Sequence, residues 1–476
     1  MSHERYEMVI GLEVHVQLKT RTKAFCRCST NFGDAPNENT CPVCLALPGA
    51  LPVLNERAVE LALRAALAVG CTVHERSIFA RKNYFYPDLP KGYQISQFDK
   101  PLAEQGAIQI GPNHAIGITR IHMEEDAGKS VHDRFPGFTA IDLNRSGVPL
   151  IEIVSEPEMR SSAEAGAYLR ALREILLYAE VSDCSMEEGS LRVDANVSAR
   201  LHGESALRTR TEIKNLNSFS NVEKALELEF IRHCAVHDAG GTVVQQTMLF
   251  DAHKNEVRGS RSKEGSHDYR YFPEPDLPPL VLAAADIARA KASLPELPAA
   301  RRARLSLEYA LSTADAEVLT ASRAVGDYFE AVARAAGDGK LAANWVMGEV
   351  LATLNESGGD IATFPVHAPQ LAELISLIKG GALSHTAAKT VFATVRLEGG
   401  SPKAIAERDG LLQVGDDSAL VAWIDEVWAE HPDEGARFAA GENKLQGVLV
   451  GFVMKKSKGR ADPKKVNQLL AARAGK

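Results

Sequence analysis

Strict alternation of apolar and polar residues is the feature that most constrains how this chain folds. In segments 8–18 and 191–201 every second residue is apolar. Successive side chains of a β-strand point to opposite faces of a sheet, so each segment predicts a strand with one apolar and one polar face. Further strands are predicted over 116–124, 149–155 and 207–214. We therefore expect a sheet to organise the first part of the chain.

The polar faces of these predicted strands combine carboxylates with basic side chains. In segment 116–124 we place every second residue from Ile116 to Glu124 on one face, Arg120 and His122 included. The other strands contribute Glu13, His15, Glu152, Arg192, Asp194, Arg208, Arg210, Glu212 and Lys214. One interpretation is the ordinary water-facing side of an antiparallel sheet.

The alternative interpretation of these faces is a cation site. Carboxylates gathered on one sheet face repel one another, and a bound cation removes that cost. Mg²⁺ binds a few carboxylates and bridges them to substrate phosphates. An acidic surface of this kind predicts phosphoryl transfer, in which positioning and charge neutralisation supply most of the catalysis.

Segment 121–130, IHMEEDAGKS, ends like a phosphate-binding loop but begins differently. The loop pattern needs a glycine where Met123 stands, and its phosphate cradle has no place for the three consecutive carboxylates at 124–126. We therefore interpret this segment as holding phosphate through a metal ion, with Lys129 as a direct phosphate contact.

Four cysteines form two close pairs, Cys26 with Cys28 and Cys41 with Cys44. Two such pairs across a short loop can converge on a tetrahedral Zn²⁺ with four thiolate ligands, a closed site whose role is structural. The alternatives are disulfides, which are rare in the cytoplasm, or unrelated buried thiols. The isolated residues Cys71, Cys184 and Cys234 are predicted to be core residues rather than nucleophiles.

Segment 81–97, RKNYFYPDLPKGYQISQ, interleaves basic residues with four aromatic ones. Aromatic rings on a cationic loop suit stacking on a nucleobase. The alternative is a loop whose aromatic residues cap the hydrophobic core.

The length of 476 residues predicts two to four domains. Helical spacing occurs over 57–69, 163–181 and 221–237, strand patterns end near residue 282, and alanine and leucine dominate from about residue 294. We predict a catalytic domain over 1–293 with a zinc module within 24–48, a helical domain over 294–400 and a small helical tail domain over 401–476.

Charge and hydropathy indicate where the protein acts in the cell and whether it binds nucleic acid. No basic start followed by an apolar run opens the sequence, and no apolar stretch reaches membrane-spanning length, so we expect a cytoplasmic protein. The net charge of −8 argues against a uniformly basic nucleic-acid binder but allows a local basic patch. The tail holds such a patch, formed by Lys455, Lys456, Lys458, Arg460, Lys464, Lys465, Arg473 and Lys476.

Long motifs in this sequence carry a resemblance to a known family. They are RKNYFYPDLPKGYQISQ, HMEEDAGK, DLNRSGVPLIEIVSEPE, MEEGSLRVDANVS, TEIKNLNSF, DYRYFPEPDLP and, near the end, LQGVLVGFVMKKSKGRADPKKVNQLL. Together they resemble the B subunits of the tRNA-dependent aspartyl/glutamyl amidotransferases, the B/E family. The resemblance covers nearly the whole chain.

The resemblance implies an α+β fold. Its parts are a glutamine-synthetase-like antiparallel sheet with a zinc module, an all-α helical domain and a YqeY-like tail that binds tRNA. It also implies that the chain uses ATP and Mg²⁺ to phosphorylate the side-chain carboxylate of Glu-tRNA(Gln) or Asp-tRNA(Asn), which ammonia then converts to the amide. The ammonia would come from an amidase, the A subunit, while a small C subunit would complete a heterotrimer. A misacylating synthetase is a further possible partner, and no membrane or DNA is implied.

The resemblance also assigns roles to residues at matching positions. Catalytic candidates are Glu13, His15, Glu125 and Lys129. Metal candidates are Cys26, Cys28, Cys41 and Cys44 for Zn²⁺, and Glu13, His15, Glu124, Glu125, Glu152, Asp194 and Glu212 for Mg²⁺. Candidates for binding ATP and the acceptor end are Lys82, Lys91, Tyr93, Ser96, Gln97, Arg120, Arg192 and Lys214. Mg²⁺ prefers oxygen ligands. His15 is therefore expected either to contact the residues that bind the metal, without binding it itself, or to mark a site that accepts Mn²⁺.

Two other classes of function fit parts of the sequence. The carboxylates could build a two-metal hydrolase or nuclease that needs neither ATP nor a partner. The zinc module and the basic tail could instead belong to an RNA-binding scaffold without catalysis. Within the family, the archaeal form that makes only Gln-tRNA carries an inserted domain, and no insertion interrupts the motifs here.

Overall fold

A computed structural model describes residues 2–260, 269–413, 417–457 and 459–475. The chain divides into two compact units, Met1–Leu297 and Pro298–Lys476. The strands, all in the first unit, are β1 Tyr6–Gln17, β2 Thr72–Val73, β3 Arg76–Ser77, β4 Ala80–Asn83, β5 Tyr93–Ser96, β6 Ala103–Gly111, β7 His114–Glu125, β8 Lys129–Phe135, β9 Phe138–Asp142, β10 Pro149–Ser155, β11 Leu191–Leu201, β12 Thr211–Leu216, β13 Thr247–Asp251, β14 Glu256–Gly259, β15 Phe272–Pro273 and β16 Leu280–Val281.

Helices occur in both units. In the first unit they are α1 Glu56–Ala68, α2 Ser162–Tyr178, α3 Phe219–Asp238 and α4 Ala284–Ala292, with a short 3₁₀ turn at Ser2–Arg5. In the second they are α5 Pro298–Glu308, α6 Thr313–Thr320, α7 Arg323–Ala336, α8 Gly339–Trp345, α9 Leu351–Ser357, α10 Ala368–Lys379, α11 His385–Glu398, α12 Pro402–Arg408, α13 Asp417–Glu430, α14 Pro432–Ala439, α15 Leu445–Lys456 and α16 Pro463–Arg473. A π turn at Val346–Val350 joins α8 to α9, and a 3₁₀ turn lies at Ile361–Thr363.

Nine strands form one large sheet in the order β14-β13-β12-β11-β1-β10-β7-β6-β2. Neighbouring strands are antiparallel except β12 and β13, which run parallel. Helix α2 packs on β6, and α3 packs on β11 and β12. The apolar residues of β1, such as Leu12 and Val14, belong to the resulting core, which leaves the alternate residues to the opposite face. The predicted combination of a large sheet with many helices is thus confirmed, while its likeness to the sheet of glutamine synthetase stays a prediction.

Two details of the predicted strands were wrong. Ile116 and Ile118 do not share a face with His122 and Glu124, because both isoleucines lie in the hydrophobic core together with Ile121. An irregularity in the pairing of β7 with β10 shifts the alternation by one residue, as bulges do. In addition, residues 207–210 form no strand, since β12 begins only at 211.

The second unit is helical and contains two hydrophobic clusters. One joins helices from α5 to α12, with Phe329 and Trp345 among its buried members. The other joins α13 to α16 around Leu420, Phe438 and Leu470. The predicted boundary between a helical domain and a tail domain stays a prediction. Within the described residues no helix combines the length and apolar character needed to cross a bilayer.

Candidate functional site

His15, Glu124 and Glu152 converge on the polar face of the large sheet, and we call them the acidic triad. The His15 Nε2 atom lies 3.2 Å from Glu152 Oε2 and 3.6 Å from Glu124 Oε1. One ligand atom from each residue can be chosen so that all lie within 4.8 Å of one another. Three strands supply these groups, because His15 on β1 pairs with Glu152 on β10, and Glu152 pairs with His122 on β7. The donors of the triad therefore suit a single bound cation.

The electrostatics of the triad show how strongly it favours positive charge. Burial opposes protonation of His15, but the hydrogen bond with Glu152 and the charges of Glu124, Glu152 and Asp194 outweigh it and raise the His15 pKa to about 9. Burial likewise opposes ionisation of Glu152, yet contact with His15 and the charges of His122 and Lys82 hold its pKa well below the usual range. A divalent cation would provide the same balance while leaving the imidazole neutral.

A second group of charged residues adjoins the triad along β1, β11 and β12. Glu13 pairs across the sheet with Asp194, and Asn196 Nδ2 donates to Glu13 Oε1 at 3.1 Å. Lys214 Nζ lies 2.5 Å from Asp194 Oδ2 and 3.1 Å from Glu212 Oε1. Burial and three neighbouring carboxylates raise the pKa of Glu13. Glu13 is thus a carboxyl group that accepts a proton more readily than an ordinary exposed glutamate.

Glu13 and the other charged residues of this group line a cavity of about 250 Å³, which we call the acidic cavity. Its walls are formed by Glu13, His15, Lys82, Ser96, Gln97, Phe98, Arg120, His122, Glu152, Asp194, Glu212, Lys214, Tyr269 and Tyr271. Burial opposes the charge of Lys82, but Glu124, Tyr271 and Glu152 raise its pKa, so it stays an ammonium. Within the described residues, Arg120 Nε and His122 Nδ1 are buried without a hydrogen-bond partner. Buried donors of this kind are expected to bond a substrate or water.

Other predicted site residues lie beside the acidic cavity rather than in its wall. Glu125 points away from the triad, where its carboxylate contacts the Lys91 ammonium and accepts from the Ile95 amide at 2.9 Å. Lys91 lies 5.6 Å from the Tyr93 ring. Lys129 is exposed at the start of β8. Neither Glu125 nor Lys129 lines the acidic cavity, so their catalytic roles stay a prediction.

Gly128 of the phosphate-loop-like segment has a packing role. A Cβ atom there would lie 2.8 Å from the carbonyl oxygens of both Asp88 and Asp142. Next to it, Asp126 binds Arg192 Nη1 at 2.9 Å and accepts from Gln17 Nε2 at 2.9 Å. The close approach of two backbone segments thus explains the glycine without a phosphate.

A larger cavity of about 620 Å³ extends from Glu13 along β1, and we call it the Gly11 cavity. Its floor holds small residues, among them Gly11, Ser155 and Ser198, and its wall includes Arg208 and Arg210. Its lining is completed by Val9, Leu12, Glu13, Thr119, Val154, Pro157, Asn196, Leu207, Thr209 and Gln245. Glu13 lines both cavities, so the two cavities adjoin at this residue.

The four cysteines Cys26, Cys28, Cys41 and Cys44 converge as predicted. The Sγ atom of Cys44 lies 3.6 Å from that of Cys26 and 3.8 Å from those of Cys28 and Cys41. Tetrahedral Zn²⁺ with bonds of about 2.3 Å places its sulfur ligands roughly 3.8 Å apart. The cluster therefore fits zinc.

The basic tail is partly neutralised within its own helices. Lys456 lies 3.0 Å from Glu426 and also contacts Glu430, while Arg473 contacts Asp425. Lys458 and Lys476 lie outside the described residues. The prediction that the tail binds tRNA remains a prediction.

Several residues around the cavities were not predicted as site residues. His122 follows the same alternation as Glu124 and could have been included on that signal. Phe98, Tyr269 and Tyr271 supply the aromatic wall, with Phe98 and Tyr271 stacked at 4.1 Å between ring centroids. In contrast, Phe85 of the predicted stacking loop is 80% exposed and does not line the acidic cavity.

Comparisons with known proteins agree with the motifs. Residues 8–288 match the family model described as the GatB/GatE catalytic domain, and residues 327–473 match one described as the GatB domain. Relatives named as the B subunit of aspartyl/glutamyl-tRNA(Asn/Gln) amidotransferase come from Chlorobium chlorochromatii, 54% identical, and from Geobacter sulfurreducens, 53% identical, each covering 98% of both chains. A protein of the same name from Syntrophotalea carbinolica is 53% identical over 98% of each chain. The resemblance drawn from the motifs is confirmed.

Proposed function

The chain belongs to the GatB/GatE family of tRNA-dependent amidotransferase subunits, and from this premise we propose that its acidic cavity activates a carboxylate with ATP. The carboxylate is the side chain of glutamate or aspartate carried by the tRNA for glutamine or asparagine. The observation that carries the proposal is the acidic triad, because two of its members, His15 and Glu152, line the acidic cavity. The cations Lys82, Arg120 and Lys214 line the same cavity. Phosphoryl transfer needs carboxylates that hold a metal ion and, beside them, cationic side chains that hold phosphate.

The reaction has two balanced steps. First, an oxygen of the substrate carboxylate bonds to the γ-phosphorus of ATP, the bond to the β-phosphate oxygen breaks, and ADP leaves. Second, ammonia adds to the acyl carbon and the bond between that carbon and the phosphate oxygen breaks. The nitrogen gives up one proton to a base, which passes it to the departing phosphate. The raised pKa of Glu13 makes this carboxylate the proposed acceptor of that proton.

The chain supplies binding groups for this chemistry. His15, Glu124 and Glu152 would hold Mg²⁺, which neutralises the charge of the transferred phosphoryl group when it is bound. Lys82 and Arg120, which line the acidic cavity, would hold phosphate oxygens, and Lys214 balances the nearby carboxylates Asp194 and Glu212. Four cysteines would hold a structural Zn²⁺ away from the reaction.

The second step needs a source of ammonia. In the described part of the chain, the cysteines outside the cluster are buried in the core, and burial raises the pKa of Cys71 to about 12 and those of Cys184 and Cys234 to about 11. Neutral, buried thiols are poor nucleophiles for glutamine hydrolysis. We therefore propose that the assembled enzyme contains an amidase partner and a small third chain, with a misacylating synthetase as a possible further partner.

The proposal is tested on the assembled enzyme with an ammonium salt in place of glutamine. We expect one ADP for each amide formed on Glu-tRNA or Asp-tRNA, and no ADP from correctly charged Gln-tRNA. Phosphate release and the amide product are measured in the same reaction. Amide formation without ATP would contradict the proposal, and metal-dependent cleavage of tRNA without ATP would favour a nuclease.

The Gly11 cavity is proposed to hold an adenosine, which both ATP and the 3′ end of the tRNA provide. The Cβ atom of an alanine at this position would meet Pro157 Cα at 3.7 Å, an ordinary contact, so larger side chains would project into the cavity. We expect Gly11→Val to raise the KM for either ATP or charged tRNA by roughly tenfold. Gly11→Ala is the matched control and should have little effect. A change in the KM for ATP would identify its nucleoside as the occupant, and a change in the KM for charged tRNA would identify the acceptor end. If Gly11→Val leaves both KM values unchanged, neither adenosine occupies this cavity.

A further inference from the structure

Lys23 is a fully buried lysine next to the cysteine cluster and outside both cavities. Its ammonium donates to the carbonyl oxygen of Asn39 at 2.7 Å, to that of Leu143 at 3.1 Å and to the Sγ atom of Cys44 at 3.4 Å. These three acceptors match the three N–H donors of an ammonium. A buried charge with a complete set of partners indicates a specific role, because burying it without them is costly.

The charge of Lys23 is complementary to a filled zinc site. Four thiolates around Zn²⁺ carry a net charge of −2, which is costly to bury without a nearby cation. Lys23 donates a hydrogen bond to the Cys44 sulfur. A hydrogen bond to a metal ligand from outside the ligand set orients that ligand and tunes its affinity for the metal. Lys23 thus contacts the cluster through one ligand and the segment between its cysteine pairs through Asn39.

The third acceptor of Lys23 belongs to the loop 143–148, which joins β9 to β10. The loop ends beside the acidic end of β7, because Pro149 pairs with Glu125. In this loop Gly147 makes two backbone hydrogen bonds of 2.8 Å. Its carbonyl oxygen accepts from the Ala24 amide, and its amide donates to the Asp126 carbonyl oxygen. The Asp126 amide in turn donates to the Val148 carbonyl oxygen at 2.8 Å.

Gly147 also packs directly against the lysine. It has a φ of 84°, and a Cβ atom there would lie 3.4 Å from Lys23 Cδ and 3.8 Å from Glu125 Oε2. Asp126 then holds Arg192 on the polar face of the sheet. A continuous set of contacts therefore joins Cys44 through Lys23 and Gly147 to Asp126.

We infer that Lys23 is a positioning residue that makes the geometry of the Glu125–Asp126 end of the active face depend on zinc in the cysteine cluster. The inference rests on the proposed zinc occupancy of that cluster. With zinc bound, Lys23 is held between a charged thiolate and the Leu143 carbonyl oxygen. Without zinc, the cluster loses its fixed geometry, the Cys44 sulfur is no longer held in place at Lys23, and the loop 143–148 loses its support.

The first test measures zinc release from the assembled enzyme into a colorimetric chelator. Lys23→Met removes the charge at nearly constant volume, and we expect zinc release to become roughly 10- to 100-fold faster. The matched control is Arg27→Met, which removes a positive charge between Cys26 and Cys28 from an exposed position. Equal release from wild type and Lys23→Met would overturn the inference, as would equal acceleration by both variants. A wild-type enzyme without zinc would instead show that the zinc proposal fails.

The second test uses hydrogen exchange, which keeps the inference open to refutation even if Lys23→Met folds poorly. In the wild-type enzyme, withdrawal of zinc should increase amide exchange in segment 123–149 as well as in the module 24–48. Restoring zinc should restore the protection, and Lys23→Met should show increased exchange in segment 123–149 even when zinc is bound. Increased exchange confined to 24–48 after zinc removal would show that the two sites are not coupled.

Discussion

Glu152→Gln should lower the kcat of ATP-dependent amide formation by on the order of 100- to 1000-fold, the usual cost of removing one fixed charge that stabilises a transition state. Glu152 belongs to the acidic triad, and its Oε2 atom lies 3.2 Å from His15 Nε2 and 3.7 Å from His122 Nε2. The substitution keeps the shape of the side chain and removes a charge that would hold the metal. Initial rates with an ammonium salt, measured over a range of Mg²⁺ concentrations, report the effect.

The chain offers a matched control for this variant in a second histidine–glutamate pair on the same sheet. His74 Nε2 lies 2.9 Å from Glu104 Oε2, and both side chains are partly exposed outside the two cavities. Glu104→Gln should therefore leave the rate unchanged. Glutamine hydrolysis by the amidase partner should persist in Glu152→Gln, because that chemistry uses other residues. A normal rate for Glu152→Gln at limiting Mg²⁺ would rule out the triad as the metal site.

Comparison with Glu125→Gln separates the two glutamates of the run at 124–126. The resemblance names both Glu124 and Glu125 as metal candidates, but in the structure the Glu125 carboxylate faces Lys91 and the Ile95 amide rather than His15. Glu124 is the member of the run that belongs to the triad, with its Oε1 atom 3.6 Å from His15 Nε2. The two neighbours point to opposite sides because they are successive residues of one strand.

The alternation of polar residues located much of the candidate site. Within one strand the period of two fixes which residues share a face, so Glu13 and His15 on β1 could be grouped from sequence alone, as could Arg192 and Asp194 on β11. On β7 the same method failed at Ile116 and Ile118, because a bulge changes the phase and leaves no mark in the pattern.

Features that depend on distant parts of the chain could not be predicted in this way. Tyr269 and Tyr271 reach the acidic cavity from a segment far along the sequence, since β15 pairs with β4. Arg208 continues the alternation of β12, yet it precedes that strand and lines the Gly11 cavity instead. Local periodicity describes the face of a strand, whereas a cavity wall is determined by which segments the tertiary fold brings together.

Cys41→Ala should have the largest effect on stability, because the free energy of zinc binding in such a module is also free energy of folding, on the order of 10 kcal/mol. With three thiols left, the cluster can no longer enclose a tetrahedral ion, and the module 24–48 loses the centre around which its two cysteine pairs converge. We expect the purified variant to lack zinc and limited proteolysis to cut first within 24–48. The helices of the second unit, which have hydrophobic clusters of their own, should resist longer.

The control for Cys41→Ala is Cys234→Ala, which removes a fully buried thiol from the core and should cost only about 1 kcal/mol. Treating the wild-type protein with a strong chelator should reproduce the proteolysis pattern of Cys41→Ala, because both remove the same ion. Metal analysis, thermal unfolding and proteolysis are measured on all three samples. If Cys41→Ala retains zinc, or if chelator and variant lead to cleavage in different segments, the four cysteines do not form the structural zinc site that their sulfur–sulfur distances indicate.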